Sequence, residues 1–312
     1  MRKEDFYFES ADKKTQIHAV KWAPDSGGYR AVLQITHGMQ EYIGRYQEFA
    51  EFLTKKGVLV VGHDHLGHGE SVADAGAYGF FSESRPSDML IRDMHTLRRT
   101  VQGQNRGKPY FMLGHSMGSY MLRKYITKYS KGLAGAVIVG TGSMPDGLMI
   151  LGMGICRFLA GRYGWNYRSR LVKSLSFLGP YRRYDVTGRD IRRNWLTRDL
   201  EIAKRFYRDP KCTFDFTVNG YFGLMQAVYY DNQPKYIEEI RKSLPLFLVS
   251  GDADPVGDMG RGVKKVYRQY KRAGISDVSM KLYQGGRHEI LNETDRDLVY
   301  EDIYGWLQER MK

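Results

Sequence analysis

A serine between two glycines is the first candidate for chemistry in this sequence. Residues 110–120 read YFMLGHSMGSY and contain the pattern G-x-S-x-G around Ser116. In this pattern the serine can act as a nucleophile when it lies on a sharp turn between a buried strand and a helix. Residues 110–114 are an apolar run that predicts a strand, and the residues after the serine have helical periodicity. The alternative is a glycine turn that carries an incidental serine.

A serine hydroxyl needs a base to accept its proton and an acid to orient that base. In proteins with this type of turn, the acid and then the histidine follow the serine along the chain. His288 is the only histidine after Ser116, and it lies in a loop after a predicted strand. Asp252 and Asp254 directly follow the predicted strand PLFLVS. We expect Asp254, which lies further along its loop, to be the acid, and Asp252 is the alternative.

Two backbone N–H groups are needed to stabilise the oxyanion that forms when a serine attacks a carbonyl carbon. One is expected from Met117, the residue after the serine, and the other from the loop after the predicted strand AVLQIT. That loop reads HGMQEY, and Gly38 allows its backbone to approach a ligand closely. We expect the Met39 N–H to be the second donor, and the alternative is an ordinary turn between a strand and a helix.

A second cluster of polar residues, HDHLGHG, contains His63, His65 and His68. It resembles the H-x-H-x-D-H motif of hydrolases of the metallo-β-lactamase type, whose side chains bind metal ions. Gly67 stands where that motif requires aspartate, and few histidines follow it. We therefore interpret the segment as a turn near the serine, and we expect no metal and no cofactor. A metallohydrolase is the alternative.

Short apolar runs alternate with amphipathic stretches along most of the chain. Strands are predicted at residues 31–36, 58–62, 110–114, 135–140, 245–250 and 278–283, after an opening hairpin near the N-terminus. Helices are predicted at residues 45–57 and 87–102, after the serine, in the stretch RGVKKVYRQYKRAG and near the C-terminus. Apolar strands separated by helices are typical of a parallel sheet covered on both faces. The predicted fold class is therefore α/β.

The alternation of strands and helices stops between residues 144 and 235. Most of this stretch, residues 146–235, contains 16 Lys/Arg against 8 Asp/Glu, together with many aromatic side chains. The stretch is too apolar for a disordered linker, so we interpret it as a helical cap inserted into a core of residues 1–143 and 236–312. Its segment GLMILGMGICRFLA is too short to span a bilayer. The methionines there are suited to contact acyl chains, and the alternative is ordinary packing within the cap.

The net charge of +13 raises the question of an anionic partner. No nucleic-acid-binding motif accompanies the charge, so we expect no nucleic-acid partner. The basic cap favours either an ordinary solvated surface or transient contact with an anionic membrane surface. The chain has two cysteines and begins without an apolar leader, which together predict a cytoplasmic location.

Five motifs, in this order, resemble the monoacylglycerol lipase/lysophospholipase branch (serine aminopeptidase S33-like) of the α/β-hydrolase superfamily: HGMQEYIGRY, GHDHLGHGES, LGHSMGS, SGDADPVG and GGRHEILNE. The resemblance implies a mostly parallel eight-stranded sheet flanked by helices. It also implies that Ser116 is the nucleophile, Asp254 the acid and His288 the base. Met39 and Met117 match the oxyanion-hole positions of that family.

Two positions differ from the pattern of that family. Tyr42 stands where many members have histidine, and His65 stands where arginine or other residues are common.

The expected activity is hydrolysis of carboxylic esters through an acyl-enzyme, and monoacylglycerols or lysophospholipid-like lipids are the expected small-molecule substrates. The alternatives are a generalist carboxylesterase, a peptidase of the prolyl aminopeptidase type and a non-catalytic binding protein.

Overall fold

The apolar runs of the sequence form one sheet in the computed structural model, which describes residues 1–311. The sheet contains eight strands: Arg2–Glu9 (β1), Gln16–Ala23 (β2), Ala31–Thr36 (β3), Val58–His63 (β4), Tyr110–His115 (β5), Gly135–Val139 (β6), Leu246–Gly251 (β7) and Val278–Tyr283 (β8). Their order across the sheet is β1-β2-β4-β3-β5-β6-β7-β8. Strand β2 pairs antiparallel with β1 and β4, and the other pairs are parallel. The predicted α/β class and the opening hairpin are confirmed.

Helices connect most of the strands. Within residues 1–311 they are Gln47–Lys55 (α1), Pro86–Gln104 (α2), Met117–Tyr129 (α3), Asp146–Tyr163 (α4), Arg170–Ser176 (α5), Leu200–Arg208 (α6), Val218–Asn232 (α7), Pro234–Ile237 (α8), Arg261–Arg272 (α9) and Arg296–Glu309 (α10). Short 3₁₀ turns occur at Ile43–Tyr46, Ala75–Ala77, Gly179–Arg183, Ile191–Arg193 and Ile290–Asn292. The side chains of Asp199 and Thr217 accept hydrogen bonds from backbone N–H groups in the first turns of α6 and α7, as N-cap residues do.

The central strands are buried on both faces, which explains why they are continuous apolar runs in the sequence. Successive side chains of a strand point to opposite faces of the sheet. Val32 packs in the hydrophobic core formed with α2, α3 and α9, whereas Leu33 packs in the core formed with α1 and α10. Leu248 and Val249 in β7 are divided between the two cores in the same way. The two cores therefore fix the strand registers and the residues that emerge at the strand ends.

The residues expected to do chemistry follow the carboxyl ends of parallel strands. Met39 follows β3, and Ser116 follows β5. Asp254 follows β7, and His288 follows β8. Because these strands run in the same direction, their carboxyl ends lie at one edge of the sheet, where open α/β sheets bind ligands.

Residues 144–235, which we call the cap segment, contribute no strand to the described sheet. Helix α7 packs against α3, and α4 packs along α7, so the cap segment rests on the helix that follows Ser116. A Cβ atom added at Gly152 in α4 would lie 2.6 Å from the Met225 sulfur in α7, which shows how closely the two helices approach. The boundaries of the cap as a separate unit stay a prediction.

Candidate active site

Ser116 lies on the turn between β5 and α3 in a strained backbone conformation. Its φ and ψ are 53° and −121°, a region that costs on the order of 1–3 kcal/mol and is found mostly at functional sites. A Cβ atom at Gly114 would lie 2.4 Å from the Gly118 carbonyl oxygen, and one at Gly118 would lie 2.2 Å from the Thr36 carbonyl oxygen. The tight turn therefore requires glycine at both positions, in agreement with the G-x-S-x-G pattern.

The Ser116 hydroxyl, the His288 ring and the Asp254 carboxylate form a continuous chain of hydrogen bonds. Ser116 Oγ lies 2.8 Å from His288 Nε2. His288 Nδ1 lies 3.0 and 3.1 Å from the two Asp254 oxygens. When Nδ1 donates its proton to the carboxylate, Nε2 is left free to accept the serine proton. The structure thus brings together residues that the sequence separates by 172 and 34 positions.

The two candidate acids occupy different environments. Asp254 is fully buried, and its carboxylate accepts hydrogen bonds from the Val256 N–H at 2.8 Å and the Ser250 hydroxyl at 3.2 Å. Asp252 is exposed and accepts a bond from the Gly285 N–H at 2.7 Å. Of the two aspartates, Asp254 is therefore the one that contacts the histidine ring.

The two expected oxyanion donors have N–H groups without a partner beside the serine. In the described part of the chain, neither the Met39 nor the Met117 N–H donates to a protein acceptor. Met117 is the first residue of α3, and the first N–H groups of a helix have no partner inside it. A Cβ atom at Gly38 would lie 2.9 Å from Ser116 Cβ, so the loop after β3 lies against the serine. The arrangement offers two donors to an oxyanion formed at Ser116.

A buried network of charged residues lies beside the serine. Arg45 binds Glu289 through two bonds of 2.7 Å and donates to Glu41 at 3.1 Å. Glu41 also lies 2.8 Å from His115 Nδ1. Burial alone would raise the pKa of Glu41, but the charges of His115 and Arg45 outweigh burial and lower it. Burial would lower the pKa of His115, but the Glu41 carboxylate raises it. Both groups are therefore stabilised in their charged forms.

This network joins the loop after β3 to the loop after β8. Glu41 accepts hydrogen bonds from the Gly38 N–H and the Tyr46 hydroxyl, and so holds the loop after β3. His115 packs against the His288 ring with centroids 4.8 Å apart. This network was not predicted from the sequence. The only indication was that its members, Glu41, Arg45, His115 and Glu289, lie inside three of the five motifs.

The histidine-rich segment forms a buried cluster next to the loop after β3. The rings of His37 and His65 are 4.4 Å apart, and those of His63 and His65 are 4.8 Å apart. The His65 N–H donates to His37 Nε2 at 2.9 Å. Burial lowers the pKa of His63 and His68 to about 3, so both are neutral at physiological pH. Among residues 1–311, no group of three metal-ligating side chains has the geometry to hold a metal ion. The cluster packs the loop after β4 against the loop after β3.

Tyr42, one of the two positions that differ from the expected pattern, connects the loop after β3 to the cap segment. Its hydroxyl donates to Asp209 at 2.9 Å. Tyr42 also lines a cavity of about 620 Å³, together with Arg45, Phe206 and Cys212. The tyrosine therefore belongs to the contact between core and cap segment and to a cavity beside the charged network.

Known proteins resemble this chain over most of its length. The profile of a family described as serine aminopeptidase, S33, matches residues 27–295. A monoacylglycerol lipase of Mycolicibacterium smegmatis is 26% identical over 287 residues, which cover 92% of this chain and 90% of that protein. A monoglyceride lipase of Homo sapiens is 25% identical over 294 residues, which cover 93% of this chain and 86% of that protein. The crystal structure of a thermostable carboxyl esterase from Bacillus coagulans, in complex with glycerol, has a TM-score of 0.89 and 28% identity, with 100% of both chains covered.

Replacing Arg45 by methionine should destabilise the protein strongly, because Glu41 and Glu289 then stay buried without their shared cation. Removing one partner of a buried ion pair costs about 3–5 kcal/mol in the free energy of unfolding, which urea denaturation measures. Lys204→Met is the matched control because Lys204 pairs with Glu201 on the exposed surface, and it should change the free energy of unfolding far less. Equal effects of the two substitutions would contradict the role of Arg45.

Proposed function

We infer the function of this chain from its family, since it belongs to the monoacylglycerol lipase branch of the serine aminopeptidase S33 family and is an ester hydrolase. On this basis we propose that it cleaves monoacylglycerols or lysophospholipid-like esters through an acyl-enzyme. The observation that carries the proposal is the hydrogen bond of 2.8 Å between Ser116 Oγ and His288 Nε2. The Asp254 carboxylate orients the imidazole ring through Nδ1. A serine in this arrangement can lose its proton as it attacks a carbonyl carbon.

In the first step, Ser116 Oγ forms a bond to the ester carbonyl carbon while His288 Nε2 accepts the hydroxyl proton. The carbonyl oxygen becomes an oxyanion, which the N–H groups of Met39 and Met117 stabilise. The bond between the carbonyl carbon and the alcohol oxygen then breaks, and the alcohol leaves with the proton from His288. Asp254 keeps the ring oriented and stabilises its protonated form.

In the second step, a water molecule attacks the carbonyl carbon of the acyl-enzyme. His288 accepts a proton from this water and later returns it to Ser116 Oγ when the bond to the acyl group breaks. The fatty acid leaves, and the free serine is restored. Substrate, water and the three side chains account for every bond and proton, so the scheme uses no cofactor.

Three observations favour a lipid ester as the substrate. The relatives from Mycolicibacterium smegmatis and Homo sapiens are a monoacylglycerol lipase and a monoglyceride lipase. Helix α4 of the cap segment is largely apolar, and an apolar surface is suited to an acyl chain. Residues 146–235 carry 16 Lys/Arg against 8 Asp/Glu, a charge that disfavours the protonated amine of an aminopeptidase substrate. A generalist carboxylesterase with the same machinery is the second candidate, favoured by the likeness to the Bacillus coagulans enzyme.

Rates of hydrolysis across a substrate panel test this proposal. The panel contains monoacylglycerols with octanoyl, lauroyl and oleoyl chains, lysophosphatidylcholine, p-nitrophenyl acetate, p-nitrophenyl hexanoate and prolyl p-nitroanilide, with the Ser116→Ala variant as the blank. Each CH₂ group buried in an acyl pocket contributes about 0.8 kcal/mol. A pocket for the four additional CH₂ groups of the hexanoate therefore raises its kcat/KM by roughly two orders of magnitude over that of the acetate, which has the same leaving group. Preference for acetate would indicate the generalist esterase, and cleavage of the anilide would indicate the peptidase.

Helix α4 also supports the proposal of a transient contact with an anionic membrane surface. Leu148, Leu151 and Phe158 are 51%, 61% and 75% exposed, and the basic residues Arg157 and Arg162 lie on the same helix. Apolar side chains next to basic ones are typical of surfaces that bind anionic lipids. No helix within residues 1–311 is long and apolar enough to cross a membrane.

A cytoplasmic location is part of the same proposal. Cys156 and Cys212 are both buried and unpaired with each other. Free cysteines are common in proteins of reducing compartments, where disulfides are rare. The lipid surface that α4 contacts would then be the cytoplasmic face of a membrane, which carries anionic lipids.

Sedimentation with lipid vesicles tests the membrane contact. We expect the protein to bind phosphatidylglycerol vesicles more than phosphatidylcholine vesicles, and less as the salt concentration rises. A variant that combines Leu148→Ser, Leu151→Ser and Phe158→Ser should lose this binding by about ten-fold or more, because it removes apolar side chains that enter the lipid interface. Leu298→Ser is the matched control, since Leu298 is 53% exposed on α10. Equal binding of both variants would contradict the proposal.

A further inference from the structure

The loop that carries His288 is held by the cap segment as well as by the sheet. The His288 N–H donates to the Trp195 carbonyl oxygen at 3.3 Å. The next residue, Glu289, donates its N–H to the Leu196 carbonyl oxygen at 2.7 Å. Residues 191–198, which we call the strap, thus hold the backbone of the loop at the histidine itself.

Side chains strengthen the contact between the strap and the histidine loop. Arg287 donates to the carbonyl oxygens of Asn194 at 2.5 Å and Thr197 at 3.2 Å. Arg198 of the strap donates in the opposite direction, to the buried Glu293 at 2.9 Å. Because donors come from both sides, displacement of the strap must also displace the histidine loop.

Trp195 places its indole ring on the imidazole ring of His288. The two ring centroids are 4.9 Å apart, and the ring planes differ by 29°. Tyr181 supports the indole from the cap segment, with ring centroids 5.3 Å apart. His115 contacts the same imidazole at 4.8 Å. His288 is only 2% exposed, so these contacts leave its ring little freedom to rotate.

An aromatic face beside the base affects the reaction, because His288 alternates between a neutral and a protonated form. A cation over the face of a tryptophan is attracted by the ring, more strongly when water is excluded. Rotation of the imidazole would also lengthen its hydrogen bond to Ser116, and proton transfer requires a short one. Both effects change the energy of the transition state, so they should appear in kcat rather than in KM.

We propose that Trp195 is a positioning residue for His288. It keeps the imidazole aligned between Ser116 and Asp254 and stabilises the protonated ring. Since Trp195 belongs to the strap, the position of the cap segment then controls the reaction rate. The inference rests on the proposed function, because it requires His288 to be the base of an ester hydrolase.

The test compares Trp195→Leu, which keeps an apolar side chain, with Trp195→Phe, which restores an aromatic face. Trp165→Leu is the matched control, because this second tryptophan of the cap segment packs on Phe222 at 5.2 Å. The values of kcat and KM are measured with p-nitrophenyl butyrate, a soluble ester with a short acyl chain. We expect Trp195→Leu to lower kcat about ten-fold with little change in KM. Trp195→Phe should recover most of the loss, and Trp165→Leu should match the wild type.

A wild-type kcat in Trp195→Leu would overturn the inference, as would a loss confined to KM or an equal loss in Trp165→Leu. Thermal melts report whether each variant is folded, and Trp195→Met replaces Trp195→Leu under the same criteria if the leucine variant does not fold. A wild-type protein that does not hydrolyse the ester would contradict the proposed function instead. The two failures are therefore distinguishable.

Discussion

The Arg45 guanidinium binds two carboxylates that come from loops at separate positions along the sheet, and the geometry of the site depends on this contact. Glu41 belongs to the loop after β3 and Glu289 to the loop after β8, while β5, β6 and β7 lie between these strands. Buried charges must be compensated, since taking each one out of water costs several kcal/mol. The bidentate bond compensates them and fixes the distance between the two loops. The expected oxyanion donor and base are thus positioned before a substrate binds.

The strap adds a second constraint on the same histidine, and this one comes from the cap segment. Its carbonyl oxygens accept the backbone N–H groups of the histidine loop, and Trp195 packs on the imidazole ring. The cap segment also carries the exposed apolar residues of α4. A lipid surface or an acyl chain that contacts α4 therefore acts on a segment that also holds His288. Under the proposed function, substrate entry and the orientation of His288 both depend on the cap segment.

Much of this arrangement could be predicted from local patterns. The limits of β3 agree with the predicted strand, because a strand buried on both faces must be apolar throughout. The three side chains of the hydrogen-bonded chain could be selected because each follows a predicted strand, and the order serine, acid, histidine restricts the choice to one histidine and two aspartates. The contact between Arg45 and Glu289 could not be predicted from the sequence, since 244 positions separate the two residues and no local pattern specifies such a pair. Trp195 lies in a segment without strand periodicity, so nothing local indicates that its ring lies on His288.

The most direct test of the assigned roles is the rate at which a fluorophosphonate probe modifies the wild-type, Asp252→Asn and Asp254→Asn proteins, with the modified peptide identified by mass spectrometry. We expect the probe to modify Ser116, and to do so at similar rates in the wild type and in the Asp252→Asn variant. In Asp254→Asn the rate should fall on the order of 10⁴-fold, because the amide no longer holds His288 in the form that accepts the serine proton. Modification of another residue by the probe would contradict these roles. So would slow modification of the Asp252→Asn variant together with fast modification of the Asp254→Asn variant.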